Sequence, residues 1–275
     1  MRPPSRARWT LERSAGPPGF LLHSTLTILL FVSPSPLWAQ KPSTEEQFLF
    51  DSANRERIAQ HLPPLKWDNA LADAARQHAA LMAKEEDLSH QLPGEPALDR
   101  RASQAGARFS RVGENIAMGP EASPIHTGWM HSPGHRANIL DVHFTALGVG
   151  VAEDGRALYA VEDFSLAVAD LNIQAQEEKV AALLAAQGLH VSSEREETRK
   201  LCSGQLAAAG PRAALVFSYE APDISELPEP LQRRIRDGKY RQAAVGACTP
   251  ADNASGIPRF RITVLLFSTP ARPAK

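Results

Sequence analysis

The chain has 275 residues, 43% of them hydrophobic and 22% charged, with 30 Lys and Arg against 31 Asp and Glu. That length suits one or two domains. The composition excludes general disorder, and the balanced charge gives no electrostatic reason to bind a phosphate backbone, so no nucleic-acid partner is expected.

At the N-terminus, Arg2, Arg6, Arg8 and Arg13 precede an apolar stretch over 20–32, followed by Pro34, Pro36 and Leu37-Trp38-Ala39. This basic, apolar, small-residue order predicts a secretory signal peptide over 1–39, cleaved after Ala39. An uncleaved anchor is the alternative. The stretch falls short of the roughly 20 residues that span a bilayer, and His23, Ser24, Thr25 and Thr27 dilute it. A secreted or periplasmic protein is expected, with no stable transmembrane segment after cleavage. Loss of 1–39 leaves a formal net charge of −4.

Residues 45–61 carry apolar positions at mostly helical spacing, and Pro63-Pro64 ends the helix. Asp68 or Asn69 can cap a second helix, in which Leu71, Ala74, Ala75, His78, Leu81 and Met82 form one face. His78 therefore reads as a hydrogen-bonded core histidine. A loop and short helix follow over 93–106, an extended piece over 114–117, and a short helix over 124–130 that breaks at Pro133-Gly134. Residues 148–152 and 157–164, joined by Asp154-Gly155, read as a hairpin.

After Ser165 the pattern changes. Residues 177–187 form an Ala- and Leu-rich helix with Gly188 as its stop signal. Three β-rich runs follow over 213–219, 240–248 and 260–267, with a proline-rich stretch over 222–230. This predicts a smaller α+β domain over 170–275. Its last two strands echo the hairpin at 148–164 without a repeated side-chain signature. Arg233, Arg234, Arg236, Lys239 and Arg241 read as a solvated helix end. Cys202 and Cys248 are the chain's two cysteines; export predicts a disulfide between them, with two buried thiols as the alternative.

Four strings carry the strongest signal: PPLKWDNALADAARQHAALMAKEEDLSH, GENIA, WMHSPGHRANILDVHFTALGVGVA and YAVEDF. In this order and spacing they resemble the bacterial branch of the CAP superfamily (cysteine-rich secretory, antigen-five and pathogenesis-related proteins; the SCP-like extracellular domain). Over 44–165 the resemblance implies an α/β/α sandwich with an antiparallel central sheet. It also implies a cleft bordered by two histidines and two acidic residues. By motif these are His90 from LSH, Glu114 from GENIA and His143 from HFTALGVG. The second acidic position, three residues after Trp129, is Ser132, and His135 from SPGHR is the candidate for the vacant place.

The same resemblance raises a divalent metal such as zinc, held by His90, Glu114 and His143. A hydrogen-bonded structural cluster of the same residues stays open. Asn115 and Asn138 read as structural hydrogen-bonders. There is no helical H-E-x-x-H, no G-x-S-x-G and no cysteine in 44–165. Two functions are weighed. One is an extracytoplasmic binding module for a lipid, cell-wall or protein ligand. The other is a metal-assisted hydrolase with Glu114 as base on a water held by His90 and His143.

Overall fold

A computed structural model of the protein describes residues 41–193, 195–206, 213–250 and 257–268. The expected signal peptide over 1–39 lies outside these residues.

The first half runs α1 (Thr44–Ala59), β1 (Lys66–Trp67), α2 (Asn69–Glu85), α3 (Leu98–Gln104), β2 (Phe109–Gly119), α4 (Ala122–His131), α5 (Pro133–Ile139), β3 (Ala146–Glu153) and β4 (Leu158–Ala167). Ser43 and Glu46 form a capping box at α1, and Asp68 accepts from the Ala70 and Leu71 amides at α2. Pro133, expected as a breaker, is the first residue of α5, where its missing N–H costs nothing. The strands order β1-β3-β4-β2. β2, β4 and β3 are antiparallel, as expected, but the two-residue β1 joins β3 in parallel.

Alternation along the strands sends side chains to two helical layers. Leu147, Val149, Ala160 and Phe164 pack with Leu49, Ile125, Trp129 and Ile139 from α1, α4 and α5. Ile116, Tyr159 and Val161 pack with Ala75, Ala79 and Met82 of α2 on the other face. The fully buried Arg57 ties α1 to the end of α5 and the α5–β3 loop by donating to the carbonyls of Ile139, Asp141 and Phe144, and it also holds the Pro63 carbonyl after α1.

The second half runs α6 (Ile173–Ala186), β5 (His190–Val191), α7 (Glu196–Cys202), β6 (Leu215–Ala221), α8 (Glu229–Arg236), β7 (Tyr240–Cys248) and β8 (Phe260–Ser268). Gly188, just past α6, has φ +85°. The sheet orders β5-β7-β8-β6, with β5 parallel to β7 and the other pairs antiparallel. This is the strand order and direction of the first sheet, and the helices fall in matching places. Val180, Leu184, Leu231 and Ile235 of α6 and α8 cover one face, while α7 lies against Gly246 on the other.

The match extends to side chains. Lys66 pairs with Ala146, and His190 pairs with Gln242, so Gly150 of β3 corresponds to Gly246 of β7. A Cβ on Gly150 would lie 2.2 Å from the Ala75 carbonyl carbon and the Arg76 nitrogen. One on Gly246 would lie 2.4 and 2.5 Å from the same atoms of Thr198 and Arg199. Arg76 makes a two-pronged ion pair with Glu46 of α1 at 2.8 and 2.7 Å. Arg199 makes the same pair with Glu177 of α6 at 2.6 and 2.6 Å. The similarity between the halves therefore exceeds a shared hairpin, and a side-chain signature does repeat. The repeat escapes the sequence because its signature consists of isolated residues on helices of unequal length: α2 has 17 residues and α7 has 7.

Cys202 and Cys248 form a disulfide with Cα atoms 5.8 Å apart, joining α7 to β7.

A candidate ligand cleft at the edge of the first sheet

The cleft forms along β2, an edge strand of its sheet. Glu114 projects to the α2 and α3 side, where its side chain is only 3% exposed. His90, in the connection between α2 and α3, donates from Nδ1 to Glu114 Oε1 at 2.7 Å, and its side chain is 60% exposed. Arg101 of α3 donates to the other oxygen, Oε2. Both carboxylate oxygens of Glu114 are thus held by cationic or potentially cationic groups.

Arg101 is itself fixed. It donates to the carbonyls of His90 at 3.1 Å and Pro96 at 3.4 Å, and its Nε lies 3.7 Å from Glu95. Glu95 accepts from Nδ1 of the buried His78 at 2.8 Å and from the Leu92 amide at 3.0 Å. His78 is the expected core histidine at one nitrogen only: its Nε2 has no hydrogen-bond partner and lies 3.8 Å from Glu114 Oε2.

On the opposite side, α5 closes against β2. Asn138 donates to the Glu114 carbonyl at 3.1 Å and to the Asn115 side chain at 2.9 Å. Asn115 donates to Glu162 at 3.0 Å and to the His135 carbonyl at 3.2 Å. Both asparagines are structural hydrogen-bonders, as expected, though Asn115 lies within β2 and Asn138 within α5. Ser132 is the N-cap residue just before α5 and supplies no carboxylate.

The electrostatics separate the two histidines. Its hydrogen bond to Glu114 raises the His90 pKa above the ordinary imidazole value. Burial, and then the positive charge of His90, lower that of His135. His90 therefore gains a proton more readily than free imidazole, while its neighbour His135 stays neutral at pH 7.

His143 does not join them. It pairs with Asp141 through Nδ1 at 2.8 Å, its side chain is 63% exposed, and Asp141 also binds Arg111 at 2.8 Å. The expected trio of His90, Glu114 and His143 therefore does not fit a divalent ion. Glu114 has no uncommitted oxygen, and among the described residues no group of three His, Cys, Asp or Glu side chains is arranged to hold one. The family motif assigned His143 by its string, but the α5–β3 turn directs it to Asp141.

Two buried acids complete the surroundings, and neither was singled out from sequence. Asp163 lies directly across from Glu114 in the β2–β4 register, and neither of its oxygens receives a hydrogen bond from the described residues. Burial, and next the charge of Glu114, push its carboxyl well above the usual range. Burial raises Glu162 to about 8 against the opposing hydrogen bond from Asn115. An adjacent Glu-Asp pair inside the otherwise apolar strand YAVEDF was the available signal.

An α/β/α sandwich whose edge strand presents a buried glutamate to an exposed histidine defines the class of protein. Residues 50–164 match the model of the cysteine-rich secretory protein family, CAP, and this segment is a CAP domain. Two proteins of Bacillus subtilis (strain 168) are similar over the same region. The uncharacterized protein YkwD is 35% identical over 41% of this chain and 44% of its own length. The uncharacterized membrane protein YlbC is 33% identical over 42% and 33%. The match spans less than half the length of either relative. A solved extracellular protein with an SCP domain from Bacillus anthracis is 32% identical over 46% of this chain and 45% of its own, with a TM-score of 0.40. Among the described residues no helix is long and apolar enough to cross a membrane.

Proposed function

We propose that the protein is an exported binding module whose cleft of His90, Glu114 and His135 holds a lipid, cell-wall or protein ligand outside the cytoplasm. The observation that carries this reading is the double engagement of Glu114. With Oε1 on His90 and Oε2 on Arg101, the carboxylate orients its neighbours and is poorly disposed to take a proton from water. His90 is then the outward-facing group. Nδ1 is committed to Glu114, so Nε2 is left to meet a ligand, and a protonated imidazole donates there to a carbonyl, carboxylate or phosphate oxygen. The hydrolase reading requires Glu114 as a base, and the geometry disfavours it.

Cosedimentation of the processed protein with isolated cell-wall sacculi, and separately with phosphatidylglycerol vesicles, tests the binding reading. The wild type should pellet with one of them, and His90→Ala should lose most of that retention. Cleavage of casein by the wild type but not by Glu114→Gln would overturn it in favour of hydrolysis.

A further inference from the structure

We propose that Arg101 is the resident cation of this cleft. Its guanidinium occupies the ground between Glu114 and Glu95 that a divalent ion would need, and so makes the site metal-independent. The inference deepens the binding reading only in leaving His90 as the ligand-facing group; the displacement of metal stands apart from any ligand.

Four observations carry it. First, Arg101 touches both acids, through Nη2 on Glu114 and through Nε at 3.7 Å from Glu95. Second, it is not a mobile arm, because the His90 and Pro96 carbonyls hold its Nη1 and its side chain is 6% exposed. Third, an ion binding Glu114 at about 2.0–2.2 Å would have to expel that guanidinium. A guanidinium cannot shed its charge to make room, and a buried unpaired cation is costly. Fourth, the guanidinium is the cation around which the buried acids gather: Glu114 and Glu95 both face it, and the partnerless Nε2 of the buried His78 lies 3.8 Å from Glu114.

The second half gives an internal comparison. In the matching register, Val216 stands where Glu114 does and Leu265 where Asp163 does, and no described helix corresponding to α3 lies between α7 and β6. Among the described residues, the two acids, α3 and α5 have no counterparts in the second half, which keeps the four-stranded sheet and one helix in place of each of α1, α2 and α4.

Isothermal titration with zinc chloride, paired with thermal melts with and without chelator, tests the inference. The wild type should give no saturable isotherm and no zinc-dependent shift in Tm. Arg101→Met removes the charge and keeps an apolar stem. It should gain one-to-one zinc binding and a zinc-dependent rise in Tm, both lost again in Arg101→Met with Glu114→Gln. Saturable zinc binding by the wild type that Glu114→Gln abolishes would overturn the inference. So would a folded Arg101→Met that binds no zinc. If Arg101→Met folds only when zinc is present, the inference is supported. If it folds in neither condition, Arg101→Gln, which retains a donor toward Glu114, carries the same two outcomes. Failure of the sedimentation assay would leave this result untouched, because zinc alone is the probe.

Discussion

Three groups beside the cleft, His90, Glu162 and Asp163, all hold protons more tightly in the folded chain than they would when exposed. The direction of linkage follows. A raised folded pKa contributes stability that is complete below the unfolded value and is lost as pH rises through the folded one. For Glu162 the window runs from its ordinary 4.5 to about 8. His126 and His135 are lowered by burial and act the opposite way, costing stability as pH falls through their folded values. Melting temperature should therefore fall as pH rises from about 6.5 toward 8, inside the Glu162 window and above the ordinary imidazole value, past which His126 and His135 no longer oppose it. Glu162→Gln mimics the protonated acid and should flatten that slope, with its largest gain over wild type at pH 9. Melts across the range check this, and an unchanged slope would exclude Glu162 as a contributor. Of the three raised groups only His90 was legible from sequence, because a motif named it. Glu162 and Asp163 become informative only when the register is known, since their meaning lies in what stands across the strand. Arg101 was illegible for a related reason: nothing in LDRRASQ tells which arginine turns inward.

At the level of elements, close approach of helix to strand is what both halves share, and glycine permits it. Gly148 and Gly150 let α2 lie on β3; a Cβ at Gly148 would come within 2.1 Å of the Ala72 nitrogen. These atoms are backbone and cannot rotate away, so a substitution must lift the helix. Gly150→Ala and Gly246→Ala should each destabilise the protein by about 1–3 kcal/mol or more, the range for overpacking. Chemical denaturation measures the loss, and a change under about 0.5 kcal/mol at either, the range of surface substitutions, would contradict the packing described. The GVGVA string was legible as a strand, and its glycines read as ordinary strand residues; their reason for being there lay on a helix some 70 residues away. The short strands β1 and β5 were missed because two residues carry no period. The seven-residue α7 was missed because it is too brief to show an apolar face.

Over the whole molecule, the two halves solve one topology with different means. The first lays a 17-residue helix over its sheet and buries Ala75, Ala79 and Met82 there. The second has only seven residues for the same task and adds the Cys202–Cys248 bond, which pins α7 to β7. That bond should contribute about 2–4 kcal/mol. Cys202→Ser with Cys248→Ser should lower stability by that amount, read by denaturant melts, and leave the His90 titration followed by NMR where it is in wild type. A shifted His90 titration would mean that the cleft depends on the second half. The family resemblance reached 44–165 because that half keeps its motif strings. The other half was legible as helix and strands alone, since topology leaves no string behind when only Arg199, Glu177 and Gly246 hold their places.

Two like frameworks with polar chemistry in one of them divide the constraints of descent unevenly. Where Val216 and Leu265 stand, any apolar residue of similar size meets the needs of folding. At Asp163 folding alone would favour the same exchange, because a buried acid without donors is a burden on stability. The first half therefore carries a liability at Asp163 that the second, with Leu265 in the matching place, does not.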